Sequence, residues 1–559
     1  MVRVPFESTI KVLLTQEGTQ IDLGANEQAV VVTPIVDGWN DFNLRYRLLL
    51  RVMTGSRATR ELPMRLLFAG HPSTNAAVEG LVSKGQSVPF ADIDQPFVSV
   101  LSDVTGYKDL VAELGFPEAF ATLRLLHDAT AAQLEPVDGD ISLLTEGTFF
   151  SQGILREDST WAAYRDGGRF LSPVPPADVE DSARSFTVEA ELHGLPGPHR
   201  LDVDFGDDFP LSRRCMVLVG ENGVGKTRLF RAIIEGLQQH PEWEESPGEP
   251  AATFPSPPLF SRLLVFATAM SDQYPSTISP WHGLDYRFHR LADPSTGADD
   301  NLAVALLDCL RLNNLELSRT AFLDDALHKL GIRQSLHVEV TLDEGEDNRL
   351  PNPTVIDGRA YLPFLEPHGE QRRLQLQGRM VPTASPKILT PSGSVRNLSS
   401  GEKVILRFVA AASASIRRGS LLLIDEPETH LHPRYISDFM IILNSLLDAT
   451  GSIAVIATHS AFVVREVPSR RVRVARVDSV GELTIDRPRL QTFGASIDTI
   501  CQFVFDDLTP DHRFERALES WLDDNVSASV GDFRDRFRGE LNAETLAYVA
   551  QAVADRRDR

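Results

Sequence analysis

The run Gly220-Glu221-Asn222-Gly223-Val224-Gly225-Lys226-Thr227 decides the fold class of this 559-residue chain. It fits the spacing GxxxxGK[ST], and its flanks agree with it. The apolar run 216–219 leads in, and Leu229, Phe230, Ile233, Ile234 and Leu237 recur at helical spacing on the way out. A strand, a glycine-rich loop and a helix in that order make a phosphate cradle. The glycines let the backbone curl so that successive N–H groups point inward at phosphate oxygens. The helix N-terminus adds partial positive charge. Lys226 is expected to reach the β- and γ-phosphates of ATP, and the Thr227 hydroxyl to ligate Mg²⁺. Gly220, Asn222, Gly223, Gly225, Lys226, Thr227 and Arg228 are thus the expected nucleotide-binding residues. Only seven of the 55 basic residues are Lys, so a Lys inside this motif is hard to read as an accident of composition.

Three further apolar runs, 263–266, 421–424 and 453–457, match the run 216–219 in length. Continuous runs of this kind suit buried parallel strands with helices on both faces. The run 421–424 ends in Asp425-Glu426. An acid at the end of a buried strand holds Mg²⁺ through water, and the adjacent Glu can polarise an attacking water. Alone, the pair reads equally as a capped strand end, but beside a phosphate-binding loop it reads as the second half of the site.

The order of the remaining motifs resembles that of ABC-type ATPases. Leu398-Ser399-Ser400-Gly401-Glu402 resembles their signature motif. Asp425-Glu-Pro-Glu-Thr-His-Leu-His-Pro433 looks like the extended acidic motif of the OLD and SMC-like branch. Thr458-His459-Ser460 is similar to its switch histidine. Ser271-Asp272-Gln273-Tyr274-Pro275 stands where its Q-loop is expected. The resemblance covers about 184–490. It implies an ATP sandwich between two head-to-tail chains, in which Ser399, Ser400, Gly401 and Glu402 of one chain complete the site of the other. It also implies that Gln273 senses Mg²⁺ and the attacking water, that His459 contacts the γ-phosphate, and that Glu426 orients the water. Asp425, Thr227 and Gln273 would form the metal set. The segment after Asp425 departs from that of transporter subunits, and the compact insertion departs from relatives with long coiled coils. His430 and His432 form an HxH pair that reads as interface rather than as metal ligands.

Outward from this core the chain reads as an α/β protein in parts. Residues 1–173 form an α+β domain with strand-like runs at 10–14, 29–35, 64–68 and 97–101 and a helical stretch over about 107–134. The segment 173–181 is the linker candidate, and 186–192 with 201–205 form a hairpin-like pair. Residues 184–490 form the ATPase domain, with a surface loop over 241–258 and an insertion or lid over about 300–394 that is helical from 302 to 330 and strand-like from 336 to 342. Residues 491–559 form a helical tail, with Phe514, Leu518, Trp521 and Leu522 on one face and Leu546, Val549, Ala550 and Val553 repeating the pattern after Asn542.

Composition bounds the function. A net charge of −23 argues against a surface that binds nucleic acid throughout. Arg372 with Arg373, and Arg470 with Arg471 and Arg473, leave a local phosphate-backbone contact open beside the simpler reading of a solvated basic face. Three scattered cysteines, Cys215, Cys309 and Cys501, suit a reducing cytoplasm. No run of 18 apolar residues and no signal-peptide pattern are found. The tail carries acids such as Asp506, Asp507, Asp523 and Asp524 but no nuclease pattern. The expected role is an ATP-hydrolysing switch, a homodimer or higher oligomer, resembling the Septu and retron-associated ATPases of bacterial anti-phage defence and regulating a separate effector such as a nuclease. The alternative is a DNA-repair clamp that closes on duplex DNA.

Overall fold

The computed structural model describes residues 9–35, 46–135, 141–147, 149–173, 185–206, 214–239, 251–268, 274–292, 302–311, 319–342, 350–365, 370–477 and 481–504, with shorter pieces between 520 and 553. Gln273, most of the linker candidate (174–181), and Asp506, Asp507, Phe514, Leu518, Leu522 and Asn542 lie outside these residues.

The four apolar runs are neighbours in one seven-stranded sheet. Its order is Tyr286–Arg290, Leu263–Ala267, Leu421–Asp425, Ile453–Thr458, Cys215–Val219, Val472–Val477 and Leu483–Asp486. The first six strands are parallel, and the last is antiparallel. Alternate residues face opposite layers. Met216, Leu218, Leu263, Val265, Leu421, Leu423, Ile453 and Val455 pack with Leu229, Phe230 and Ile233 of helix Lys226–Gly236 and with a three-stranded antiparallel sheet. On the other face Phe266 meets Phe408 at 5.0 Å between ring centroids, and Phe408 meets Phe439 at 4.8 Å. Those two rings belong to helices Ser400–Ser415 and Pro433–Thr450. Cover on both faces explains why the inner strands are apolar throughout rather than alternating.

The three-stranded sheet holds the expected pair, Ser185–Glu191 and Pro198–Asp204. Its third strand is Ala252–Ser256, in the stretch expected to be a loop. Ala252 is the buried residue that draws this Pro-rich stretch onto the helix, since a Cβ on Gly236 would lie 2.3 Å from its carbonyl oxygen. The insertion carries helices Leu302–Asp308 and Arg319–Lys329 as expected, both packed on helix Ser400–Ser415. It also carries a five-stranded antiparallel sheet of which only Leu336–Val340 was legible; three of the others are three residues long, too short for a periodic signal, and Arg359–Pro363 begins with Arg and ends in Pro.

Residues 9–173 build a six-stranded sheet in the order Ser87–Pro89, Lys11–Thr15, Gln28–Pro34, Arg47–Thr54, Arg57–Phe68 and Phe97–Leu101. The expected long helix is three, Val104–Leu114, Phe116–Leu125 and Ala129–Ala132. Gly115, at φ 79°, breaks the first join, and Asp128 caps the third helix by accepting from the N–H groups of Thr130 and Ala131. This layer is joined to the central sheet. Trp281 packs on Phe116 and Phe120, and Arg262, 1% exposed, lies 2.9 Å from both Asp166 and Asp285. Asp158 likewise meets Arg373 of the insertion at 3.1 Å.

The chain divides into two compact units, Met1–Ile497 and Asp498–Arg559. In the second, Trp521 packs edge-on against Phe537, a helix spans Val530–Arg536, and Val549 and Val553 are buried. Among the described residues no helix is long and apolar enough to cross a membrane.

Candidate functional site at the C-terminal edge of the central sheet

Parallel strands deliver their C-terminal ends to one edge, and the site is built there from three neighbouring strands. Cys215–Val219 ends in the glycine-rich loop. Gly223 and Gly225 take φ of 87° and 102°, which a side chain would strain. Gly220 runs so close to the neighbouring strand that a Cβ would lie 2.5 Å from the Ala475 carbonyl oxygen. Lys226 is buried, and its Nζ donates to the carbonyls of Gly220 (2.8 Å) and Glu221 (2.9 Å), lying back across the loop. Burial lowers its pKa against the opposing pull of Glu426, Asp425 and Glu428. Asn222 is exposed on the loop, and Arg228 is turned away to donate to the His193 carbonyl at 3.0 Å.

Strand Leu421–Asp425 ends in the acids. The Thr227 hydroxyl donates to Asp425 Oδ2 at 2.9 Å, joining the two halves of the site. Tyr274 donates to the same oxygen at 2.7 Å. Asp425 Oδ1 is buried without a partner, and burial raises the carboxyl pKa. An orphaned carboxylate oxygen beside a threonine hydroxyl is the donor set a hydrated Mg²⁺ uses, so the residues fit this ion. Glu426 has left-handed backbone, φ 48°, held by its N–H to the Ala457 carbonyl and by the Thr268 hydroxyl on its own carbonyl. A non-glycine residue there stores strain that the surrounding bonds must hold.

Strand Ile453–Thr458 lies between the other two and ends at His459. Its Nδ1 lies 3.5 Å from Glu426 Oε1 and 3.4 Å from Glu428 Oε1. Glu426, Asp425, Lys226, Thr227 and His459 are therefore brought together. The expected residues Ser399, Ser400, Gly401 and Glu402 are not. Among the described residues no hydrogen bond or ion pair links them to 220–228. They open helix Ser400–Ser415 through a capping box in which Ser399 and Glu402 bond each other's backbone N–H. The Glu402 carboxylate is also gripped by Arg396 at 2.9 Å through both amino groups, so it holds the motif in shape. Gly401 lets the Tyr435 ring approach, where a Cβ would meet it at 2.8 Å.

Two members of the site lie inside the quoted motifs but were given no role from sequence. Tyr274 and Glu428 meet Asp425 and His459 across strands, a contact that the motif spacing does not show. Tyr274→Phe removes one donor from Asp425, and stability should fall by about 0.5–1.5 kcal/mol in a urea titration.

The arginine clusters divide between surface and interior. Arg372 and Arg470 are exposed, as a solvated basic face requires. Arg373 is buried on Asp158, while Arg471 is buried, donates to the Asp204 carbonyl and covers the Phe205 ring. Arg473 is buried and donates to the carbonyls of Arg470 and Val472. These three guanidiniums face the protein interior rather than solvent. His432 caps helix Pro433–Thr450, and no cluster of three or more metal-ligating side chains occurs among the described residues.

Comparison with known proteins places this geometry. The chain is 35% identical over 537 residues to protein ea59 of Escherichia phage lambda, covering 93% of this chain and 94% of that one. It belongs to the ea59 family. Residues 389–465, from just before the signature-like motif to just past His459, match a domain family described as "AAA domain, putative AbiEii toxin, Type IV TA system". Among solved structures, the SMC head domain from Thermotoga maritima is 11% identical (55% of this chain, 100% of that chain, TM-score 0.26). UvrA2 from Deinococcus radiodurans is 16% identical (57% and 38%, TM-score 0.26). This member of the ea59 family is a mixed α/β protein whose parallel sheet carries the GxxxxGK[ST] loop, and its residues 389–465 match an AAA domain family.

Proposed function

We propose that the protein is an ATP-hydrolysing switch of two or more chains that controls a separate effector protein in anti-phage defence. The observation that carries the catalytic part is the convergence of Lys226, Thr227, Asp425, Glu426 and His459 at one sheet edge. The loop N–H groups and Lys226 bind the phosphates of ATP, and Lys226 gives up its carbonyl partners to do so. Thr227 and Asp425 would hold Mg²⁺, which when bound spreads the charge of the β- and γ-phosphate oxygens. Glu426 accepts a hydrogen bond from the attacking water and aims it in line. His459, whose neighbour Thr458 accepts from the Gly220 N–H at its carbonyl, meets the γ-phosphate.

Pairing of chains is supported by the placement of the signature-like motif, which is fully capped yet joined to no part of its own phosphate-binding loop. A second chain presenting Ser399 and Gly401 completes the site, so ATP closes the pair and hydrolysis releases it. Control of a protein, rather than DNA, is supported by the charge of −23 and by the burial of Arg373, Arg471 and Arg473, which leaves each basic cluster with one exposed arginine. The toxin–antitoxin wording of the matched domain family supports a role in defence. Three cysteines without disulfides suit the cytoplasm as the place of action.

The test is ATP turnover and ATP-dependent dimerisation by light scattering, wild type against Lys226→Ala. The wild type should do both, and the variant should lose ATP binding by at least tenfold. Co-expression with neighbouring open reading frames should recover the effector. A chain that neither binds ATP nor dimerises with it overturns the reading.

A further inference from the structure

We infer that Glu428, the second glutamate of Asp425-Glu-Pro-Glu, is a positioning residue for hydrolysis that aims His459. The inference rests on the ATPase reading above. Nothing in the motif order assigns Glu428 a task, yet its side chain is only 5% exposed. Such a carboxylate is costly to bury and is kept where it is matched by donors. Among the described residues, its donors beyond its own backbone come from the loop that carries His459. Glu428 Oε1 accepts from the Thr458 hydroxyl and from the His459 N–H at 3.1 Å, and it faces His459 Nδ1 at 3.4 Å. The Thr458 hydroxyl in turn accepts from the Ser460 N–H at 2.9 Å, closing the loop on itself.

This arrangement decides what the imidazole can do. With Nδ1 turned to the carboxylates of Glu428 and Glu426, the proton on Nδ1 is favoured and the opposite edge, Nε2, points away from them. Glu428 thus fixes both ring orientation and tautomer, as carboxylates do behind ligating or catalytic histidines. The short helix Pro427–His430 that carries it follows the strained Glu426 directly. One rigid turn therefore sets the water-orienting carboxylate and the histidine together. Its other oxygen, Oε2, is buried without a partner, so the carboxylate is not spent on fold contacts beyond this loop.

The experiment is a double-mutant cycle on the full chain with Glu428→Gln, His459→Ala and the pair, reading kcat and KM for ATP. Glu428→Gln keeps an oxygen for Thr458 and the His459 N–H but removes the charge facing Nδ1. It should lower kcat by about 10–100-fold with little change in KM. Because Glu428 acts through His459, the double variant should be no slower than His459→Ala alone. Wild-type kcat in Glu428→Gln, or losses that multiply in the pair, overturns the assignment while leaving the ATPase reading intact. A wild type without ATP turnover overturns both. Should Glu428→Gln fail to fold, Thr458→Val releases only the loop clasp. A kcat loss in that variant that vanishes in a His459→Ala background then supports the assignment, and one that persists there, or no loss at all, overturns it.

Discussion

Glu426→Gln should bring ATP turnover close to the limit of detection and trap an ATP-bound dimer. The loss should be about 10²–10⁴-fold in kcat, the range for removing a positioned general base. The substitution is nearly isosteric, and the left-handed backbone at Glu426 is held by the Thr268 hydroxyl and the Ala457 carbonyl, neither of which touches the carboxylate. ATP affinity should survive, since the phosphate cradle and Lys226 are untouched. Binding without turnover holds the pair of chains closed, so the variant should elute as a dimer with ATP and as wild type without it. Loss of ATP binding would mean that Glu426 shapes the site instead, and full turnover would remove it from catalysis.

Arg262→Ala should cost about 3–5 kcal/mol of stability, the largest stability effect expected for a single residue here. Arg262 is 1% exposed and ties Asp285, beside the central sheet, to Asp166 of the N-terminal layer. Its Nε donates to Asp285 at 2.9 Å and an amino group donates to the Ser415 carbonyl at 2.7 Å. Removing it leaves two buried carboxylates facing one another without their shared partner. Arg262→Lys keeps the charge but not the planar fork and should fall between. Burial pushes Asp166 up, but the guanidiniums of Arg262, Arg417 and Arg287 together outweigh it and hold the carboxyl well below the usual carboxylate range. A depressed folded-state pKa gives stability that is fully present above the unfolded value, about 4, declines progressively below it and is gone once pH has fallen through the lower folded one. Urea titrations at neutral pH and near pH 3 should therefore show the wild-type advantage over Asp166→Asn shrinking in acid. An unchanged midpoint for Arg262→Ala would show that the two layers hold together without it.

The motifs were legible because each is local. A GxxxxGK[ST] loop, a strand ending in Asp-Glu and a strand ending in Thr-His-Ser are set by consecutive residues, and their apolar strands announce burial on both faces. The missed strands of the insertion and Ala252–Ser256 are short or rich in Pro, and form because a partner edge is offered, not because their own pattern demands it. The burial of Arg373, Arg471 and Arg473 was missed for a related cause. Adjacent arginines look alike in sequence whether they meet water or, as with Arg373 and Asp158, an acid more than two hundred residues away.

The sequence by itself determined the fold class and the glycine-rich loop, and it marked Asp425, Glu426 and His459 as the residues to look for beside that loop. Only the tertiary structure decided how they are held. Strand order sets Leu263–Ala267, Leu421–Asp425, Ile453–Thr458 and Cys215–Val219 side by side, and that adjacency brings Thr227 and Tyr274 onto one oxygen of Asp425 and the 458–460 loop onto Glu428. A chain order fixes which residues exist, whereas hydrogen bonds between strand ends depend on which strands pair, and pairing is a property of the whole buried sheet.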